Sequence, residues 1–330
     1  MPRRLTNDLL LALVLALVLS GVFGWALPVE IAQPLYDLHR ALGAAVLIVL
    51  VVWKQAVIRA SLARRLRRKT FDRSLIWGAV GVIGLIAGVA LGVAWTLNLI
   101  TFDTLWGYSP LNIHVFLGIG LLAFVGVHAW VRRKSNKASA AVVSRRAALR
   151  LGGLGVVALA SWQFVPRLAS LVTLPGVRRE TGSKFAAALS GNAYPAEIWL
   201  FDRVPTIDPS TWQLQLTGLA PRTLTLADLQ GAPQQQVQAV LDCTGGWWTE
   251  QVWRGMPMSA LLPANASRVT VESTTGHHIE FNAQDLNQAI LATHVGDEPL
   301  SPAHGFPVRL TVPGRRGYQW VKWVARIDAT

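Results

Sequence analysis

Hydrophobic and polar positions divide this chain into two parts with different periods. The first part carries five long apolar runs, at residues 9–27, 38–58, 75–100, 111–131 and 151–172. Each is near the roughly 20 residues of helix that a bilayer requires. From residue 176 onward the pattern breaks into short alternating stretches bounded by turn residues. Residues 212–218, 268–272 and 308–312 read as strands, and residues 224–229 and 282–292 as short helices. The predicted fold class is an all-α transmembrane helical bundle of about five spans followed by an α+β domain rich in loops.

Charge sharpens this division. The formal net charge is +13, yet residues 176–330 hold 12 Lys/Arg against 13 Asp/Glu. The basic excess sits in short loops of the first part. Residues 59–73 carry seven Lys/Arg and one Asp, and residues 132–150 carry seven and no acid. The alternate connections, 28–37 and 101–110, contain only Glu30, Asp37 and Asp103 as charges. That asymmetry is membrane topology rather than a nucleic-acid surface. It places the N-terminus in the cytoplasm and residues 176–330 across the membrane, in the periplasm of a bacterial inner-membrane protein in contact with lipid. Arg3 and Arg4 before the first run also suit a signal peptide, but the spans that follow favour an uncleaved helix. Ser144-Arg-Arg-Ala-Ala-Leu-Arg150 has two readings, a twin-arginine-like export signal placed internally or a plain positive flank.

Some patterns change little. Gly152-Gly153-x-Gly155 lies inside an apolar run with no preceding strand, so it is no dinucleotide loop. Gly84, Gly88 and Gly92 recur every fourth residue and predict close helix packing, with approach to a flat macrocycle as the alternative.

Ionisable residues within the spans are candidates for function. His39 opens the second run and His114 the fourth, at comparable depth on helices running the same way. His128 follows His114 by 14 residues, about 21 Å along the helix and on nearly the same face. His-x-x-x-Gly occurs at both outer positions, as His39/Gly43 and His114/Gly118. This arrangement resembles the four-helix cytochromes b, whose paired helices supply histidines to b haems. The resemblance implies an outer haem b held by His39 and His114. His128 is a further possible ligand, but Trp53 stands where its partner would be. Arg40 is placed either to meet a propionate or to anchor at the interface.

Cys243 is the single cysteine of the chain, so it is an inert buried thiol or a reactive, metal-binding one. It ends the apolar run 237–241 and precedes Thr244-Gly245-Gly246-Trp247-Trp248. Cys-x-Gly-Gly-Trp followed by Trp253-x-Gly-x-Pro-x-x-x-Leu-Leu262 resembles the molybdenum-pterin domain of the sulfite oxidase family, in particular its bacterial protein-methionine-sulfoxide reductase branch. A second block, from His304-Gly-Phe-Pro-Val-Arg309 through Gly317-Tyr318-Gln319 to Lys322, agrees. The resemblance runs from about residue 192 to residue 327.

The resemblance implies a Mo-molybdopterin cofactor with Cys243 as the protein ligand to molybdenum and the catalytic centre. It implies cofactor contacts at His304, Arg309, Gly317, Tyr318, Gln319 and Lys322. Ser273 and Thr275 lie in the matching Ser/Thr segment. Arg315 and Arg316 are further candidates, with solvated charge as the plain alternative. The expected domains are residues 1–135, a haem b-type membrane bundle; 136–175, the twin-arginine-like segment and fifth span; and 176–330, the molybdopterin oxidoreductase.

Together these expectations describe a membrane molybdenum oxidoreductase that transfers oxygen atoms and exchanges electrons through its haem with the quinone/quinol pool. Sulfite-oxidising relatives place an arginine five residues after the metal cysteine, where this chain has Trp248. An apolar, aromatic pocket and a small-molecule or protein-bound S- or N-oxide substrate are therefore expected, unless Arg254 folds back over the metal. The alternatives are a sulfite-type oxidase and a non-catalytic binding domain on a cytochrome anchor.

Overall fold

A computed structural model describes residues 3–27, 29–68, 73–97, 99–100, 108–133, 145–172, 179, 181–198 and 202–330. The chain divides into two compact units. One comprises residues 1–176 with 180–182, the other residues 177–179 with 183–330.

The first unit is helical: α1 (Arg3–Ala26), α2 (Val29–Ile48), α3 (Gln55–Arg68), α4 (Arg73–Thr96), α5 (Pro110–Arg133) and α6 (Arg145–Val172). Four stretches among the described residues are long and apolar enough to cross a membrane: Thr6–Ala26, Pro34–Arg64, Trp77–Thr96 and Pro110–Val127. The fifth expected span does form a helix, α6. Its apolar stretch among the described residues, Ala148–Ala160, is shorter than the other four. Arg145 and Arg146 begin that helix and are exposed.

Helix α1 packs on α2 and α5, α4 on α5, and α2 on α6. Val14, Leu17 and Val18 of α1 meet Val46, Leu50 and Leu85 in a buried cluster that Leu121, Leu122 and Val125 of α5 extend. The glycine ridge serves this packing: the missing side chain of Gly84 leaves room for Leu121, 3.1 Å from where a Cβ would stand.

Helix α2 does not run unbroken into α3. Val49–Lys54 form a π-helical segment, whose wider turn accommodates about one extra residue. The expectation that Trp53 lies below His39 assumed an uninterrupted α-helix. The wider turn shifts that position toward Lys54, whose Nζ donates to Asn7 Oδ1 at 2.6 Å.

The second unit contains, among the described residues, two sheets built on strands β1 (Lys184–Ala188), β2 (Gln213–Gly218), β3 (Arg222–Thr225), β4 (Gln235–Asp242), β5 (Trp247–Pro257), β6 (Arg268–Ser273), β7 (His278–Asn282), β8 (Ile290–Val295), β9 (Glu298–Pro299), β10 (Arg309–Thr311) and β11 (Val324–Ala329). In the six-stranded sheet β5 is central. Antiparallel β4 lines one edge of it, while parallel β1 and antiparallel β8 share the other. The five-stranded sheet runs β3-β2-β11-β6-β7. Helix α7 (Leu226–Gly231) follows β3 and starts with a capping box, in which Thr225 and Asp228 bond each other's backbone.

One expectation changes here. Residues 282–292 are not a helix: a 3-10 turn at Ala283–Leu286 leads into β8. Ile290, Leu291 and Ala292 are fully buried, in a strand between β5 and β10. Such a continuous apolar run has no period that tells strand from helix. Strand β1, which the sequence pattern did not mark, begins at Lys184, which pairs with Trp247.

Candidate functional sites

Cys243 sits in the turn of the β4–β5 hairpin. Asp242 ends β4, Trp247 begins β5, and the Thr-Gly-Gly sequence between them closes the turn. Cys243 N–H donates to Trp247 O at 2.8 Å, and Gly246, at φ +89°, donates back to Cys243 O at 3.1 Å. That left-handed φ is one that glycine adopts freely. The Gly245 N–H points at the Cys243 sulfur, 3.4 Å away. Gly317 closes over the same turn, and a Cβ there would stand 3.1 Å from the Cys243 Cα.

Three groups from the second motif converge here, buried Arg309 and His304 and part-buried Lys322. Arg309 is 2% exposed, with its guanidinium 5.5 and 5.6 Å from the Trp253 and Trp320 ring centres. It donates to His304 O at 3.2 Å, and its Nε has no hydrogen-bond partner. Lys322 Nζ donates to the carbonyls of Glu197 and Ala303, at 2.8 and 2.7 Å. His304 Nε2 lies 3.0 Å from Tyr194 O and Nδ1 lies 2.7 Å from the Ser301 hydroxyl. A carbonyl only accepts, so Nε2 carries the proton and Nδ1 accepts from Ser301.

Burial shifts the ionisable groups of this pocket. Burial, together with Glu197, pushes the Cys243 thiol up to about 12, against the pull of Gly245 N–H, Lys322 and Arg316. Burial and Arg309 push the Lys322 ammonium down to about 7. Burial, Arg309 and Lys322 push His304 down to about 4. Burial pushes the Tyr194 hydroxyl up to about 12, against the neighbouring Arg309. A thiolate on a metal and an anionic group on the cations would each relieve a buried charge. The unpartnered Arg309 Nε and Trp247 Nε1 supply donors for such an anion. The residues therefore fit a molybdenum-pterin group. Cys243 would ligate the metal, while Arg309 and Lys322 would face its anionic parts. Among the described residues no group of three His, Cys, Asp or Glu side chains could hold a metal ion, so a metal on Cys243 must bring further ligands with it.

The motif residues separate on this geometry. Cys243, His304, Arg309, Gly317 and Lys322 come together, and Arg316 is buried with them at 3% exposure. Arg315 does not join them; it pairs with Asp285 at 2.9 Å near the surface. Ser273, Thr275 and Tyr318 form an adjoining group. Ser273 bonds Thr275, Thr275 donates to Asp202 at 2.9 Å, and the Tyr318 carbonyl accepts from His277 at 3.0 Å. Gln319 lies in the 3-10 turn after Arg316.

Two further expectations are adjusted. Arg254 does not fold over Cys243: it follows Trp253 on β5, on the opposite strand face, in register with His294. The pocket walls are aromatic, with Tyr194, Trp247, Trp253 and Trp320 in mutual contact. They are not purely apolar, since Arg309 and Lys322 stand among them. Sequence reasoning missed Tyr194 and Glu197. Both lie in an irregular loop, and only their place at the start of the matched region marked them.

In the first unit the structure brings His39 and His114 together, with ring centroids 5.8 Å apart and ring planes at 83°. Imidazole nitrogens bond metals at about 2 Å, so two rings on one ion have centroids about 6 Å apart. His39 Nδ1 lies 2.8 Å from Leu17 O, and His114 Nδ1 lies 2.8 Å from Gly88 O. Both Nδ1 atoms must therefore carry the proton, which leaves both Nε2 lone pairs for a metal. Gly21 and Gly92 make room for the rings: a Cβ would lie 2.8 Å from His39 at Gly21 and 3.1 Å from His114 at Gly92. These residues fit a bis-histidine haem. Arg40 bonds Asp37 at 3.2 Å. His128 lies on α5, but its side chain is outside the described residues.

Comparison with known proteins bears on the second unit. Residues 201–330 match the family of the oxidoreductase molybdopterin-binding domain. The chain is similar to mitochondrial sulfite oxidase of Drosophila melanogaster, 30% identical in an alignment of 160 positions that covers 38% of this chain and 28% of that one. It is similar to mitochondrial sulfite oxidase of Homo sapiens, 29% identical over 38% of this chain and 30% of that one. Inducible nitrate reductase (NADH) 2 of Glycine max is 30% identical over 38% of this chain and 19% of that one. Among solved structures, the sulfane dehydrogenase SoxCD from Paracoccus pantotrophus gives a TM-score of 0.36 at 24% identity, over 38% of this chain and 40% of that one. The chain thus spans less than a third of the length of these sulfite oxidases and nitrate reductase. Residues 201–330 of the second unit match a molybdopterin-binding oxidoreductase domain and are similar to part of sulfite oxidases and nitrate reductases.

Proposed function

We propose that this protein is a membrane-bound molybdenum oxidoreductase that reduces an S- or N-oxide with electrons from quinol, relayed by a b haem on His39 and His114. The observation that carries the reading is the convergence of buried Arg309 and part-buried Lys322 on the lone thiol of Cys243. When bound, the molybdenum-pterin group supplies two-electron oxygen-atom transfer, taking an oxide, two electrons and two protons to the reduced compound and water. Cys243 holds the metal. Arg309 and Lys322 balance the cofactor's negative charge in a low-dielectric setting. Tyr194, Trp247, Trp253 and Trp320 keep water from the metal. His39 and His114, each fixed by an Nδ1–H bond to a backbone carbonyl, orient their Nε2 atoms toward the haem iron.

Three measurements on the detergent-purified protein test this: molybdenum content, a haem spectrum, and reoxidation of the quinol-reduced haem by methionine sulfoxide or an N-oxide. Cys243→Ser is expected to keep the haem spectrum and to lose the reoxidation. An absence of molybdenum would leave a binding module on a cytochrome anchor, and full turnover by Cys243→Ser would remove the thiol from the chemistry.

A second reading, oxidation of a sulfur oxyanion with electrons passing outward to the haem, is favoured by the same pair of cations, which would suit a dianion. Mixing oxidised protein with sulfite separates the two. The first reading expects no haem reduction, and rapid reduction would reverse the electron flow.

A further inference from the structure

The carboxylate immediately before the metal-binding cysteine is buried at 3% exposure, and no step above uses it. Asp242 Oδ1 accepts from Ser183 Oγ at 2.7 Å, and Asp242 Oδ2 accepts from Arg179 Nε at 3.0 Å. Arg316 Nη2 stands 3.9 Å from Oδ1 on the other side. Arg179 and Ser183 come from the short segment that leads into β1, where Arg179 N–H also donates to Ser183 O at 3.1 Å. The segment is bound to the cysteine turn a second time, through Lys184 N–H to Gly246 O at 2.8 Å. A buried carboxylate is expensive to desolvate unless charged partners meet it. Here those partners come from a chain segment some 60 residues earlier, joined to the residue adjacent to the metal ligand.

We propose that Asp242, clasped by Arg179 and Ser183, is a positioning residue that fixes the Cys243 turn from the segment entering β1 and sets the charge beside the metal thiolate. The clasp rests on the proposed role of Cys243 for its redox consequence, but not for its mechanical one. Holding the backbone of residue 242 limits where the Cys243 sulfur can go, because the turn between β4 and β5 has only four residues. Asp242, the residue before Cys243, and its partner Arg179 carry opposite charges, so removing each should act on the reduction of the metal with its own sign.

Two measurements on the full chain test this. The first is the alkylation rate of Cys243 by iodoacetamide in cofactor-free protein, where the single cysteine makes labelling site-specific. Asp242→Asn and Arg179→Gln should each speed labelling about tenfold, as expected for losing a charge-assisted bond. The double variant should be no faster than either single one. Ser183→Ala, a milder change, should give a smaller increase and covers the case in which Asp242→Asn does not fold. Unchanged rates, or strictly multiplicative effects in the double variant, would overturn the clasp.

The second measurement is the molybdenum midpoint potential in loaded protein. Asp242→Asn, which removes a negative charge, should raise it, and Arg179→Gln, which removes a positive one, should lower it. Shifts of the same sign would mean general loosening and would overturn the electrostatic role. If the wild-type protein holds no molybdenum, the proposed function fails, while the labelling rates still decide the clasp.

Discussion

At the scale of single residues, the second unit concentrates its buried charge in one place. Arg309 lies against both the Trp253 and Trp320 rings, Lys322 donates to the carbonyls of Glu197 and Ala303, and His304 is held neutral between a hydroxyl and a carbonyl. His304 gives this arrangement a measurable pH signature. Its pKa falls from 6.5 to about 4 in the folded protein, chiefly through burial and Arg309. The unfolded chain therefore takes up a proton below 6.5 that the folded one refuses until about pH 4. Stability should drop across that window by up to about 3 kcal/mol. In His304→Gln that part of the drop should vanish. Denaturant unfolding of both proteins at pH 7, 5.5 and 4.5, followed by tryptophan fluorescence, checks this. Parallel pH dependences would show that His304 is not the group responsible.

At the scale of elements, the helical unit makes room for its histidines with glycines on neighbouring helices. Gly21 of α1 faces His39 and Gly92 of α4 faces His114. Two backbone carbonyls, Leu17 O on α1 and Gly88 O on α4, set the ring tautomers. Gly21→Ala should push the His39 imidazole off its carbonyl and cut haem loading severely, much as His39→Ala or His114→Ala should abolish it. His128→Ala should do less. The pyridine haemochrome assay should return about one haem per chain for the wild type. Leu50 and Leu85, with Leu121, Leu122 and Val125 packed against them, belong to the apolar cluster of the bundle. Two haems per chain would refute this assignment, and full loading of Gly21→Ala would show that the ring tolerates displacement.

For the whole molecule, the charge asymmetry of the loops is the basis for orientation. A chain with basic segments at 59–73 and 132–150 and none at 28–37 or 101–110 should hold those basic loops in the cytoplasm. The molybdopterin-binding unit would then lie outside. Alkaline phosphatase fused after Thr330 should be active in cells and a fluorescent protein fused there should not. The reverse result would invert the topology and remove the periplasmic placement of the metal site.

The chain by itself determined whatever depends on local period and local chemistry. The four long apolar helices were legible because their hydrophobic runs match a bilayer's thickness. The strands β2, β6 and β10 were legible from alternation and turn residues. Cys243, Arg309, His304 and Lys322 were legible because they sit in two compact motifs, and His39 and His114 because matched depth on co-directional helices is a matter of counting. Tertiary structure alone decided the rest. Residues 290–295 became a strand because β5 and β10 flank them. The π segment moved the residue below His39, since a backbone bond pattern rather than a side-chain pattern sets helical phase. Arg315 and Arg316 are adjacent in sequence, yet one faces Asp285 and the other is buried near Asp242. Tyr194, Glu197 and the Arg179–Asp242–Ser183 clasp join segments far apart along the chain. No local signal encodes such contacts, because their partners meet only when the strands between them have paired.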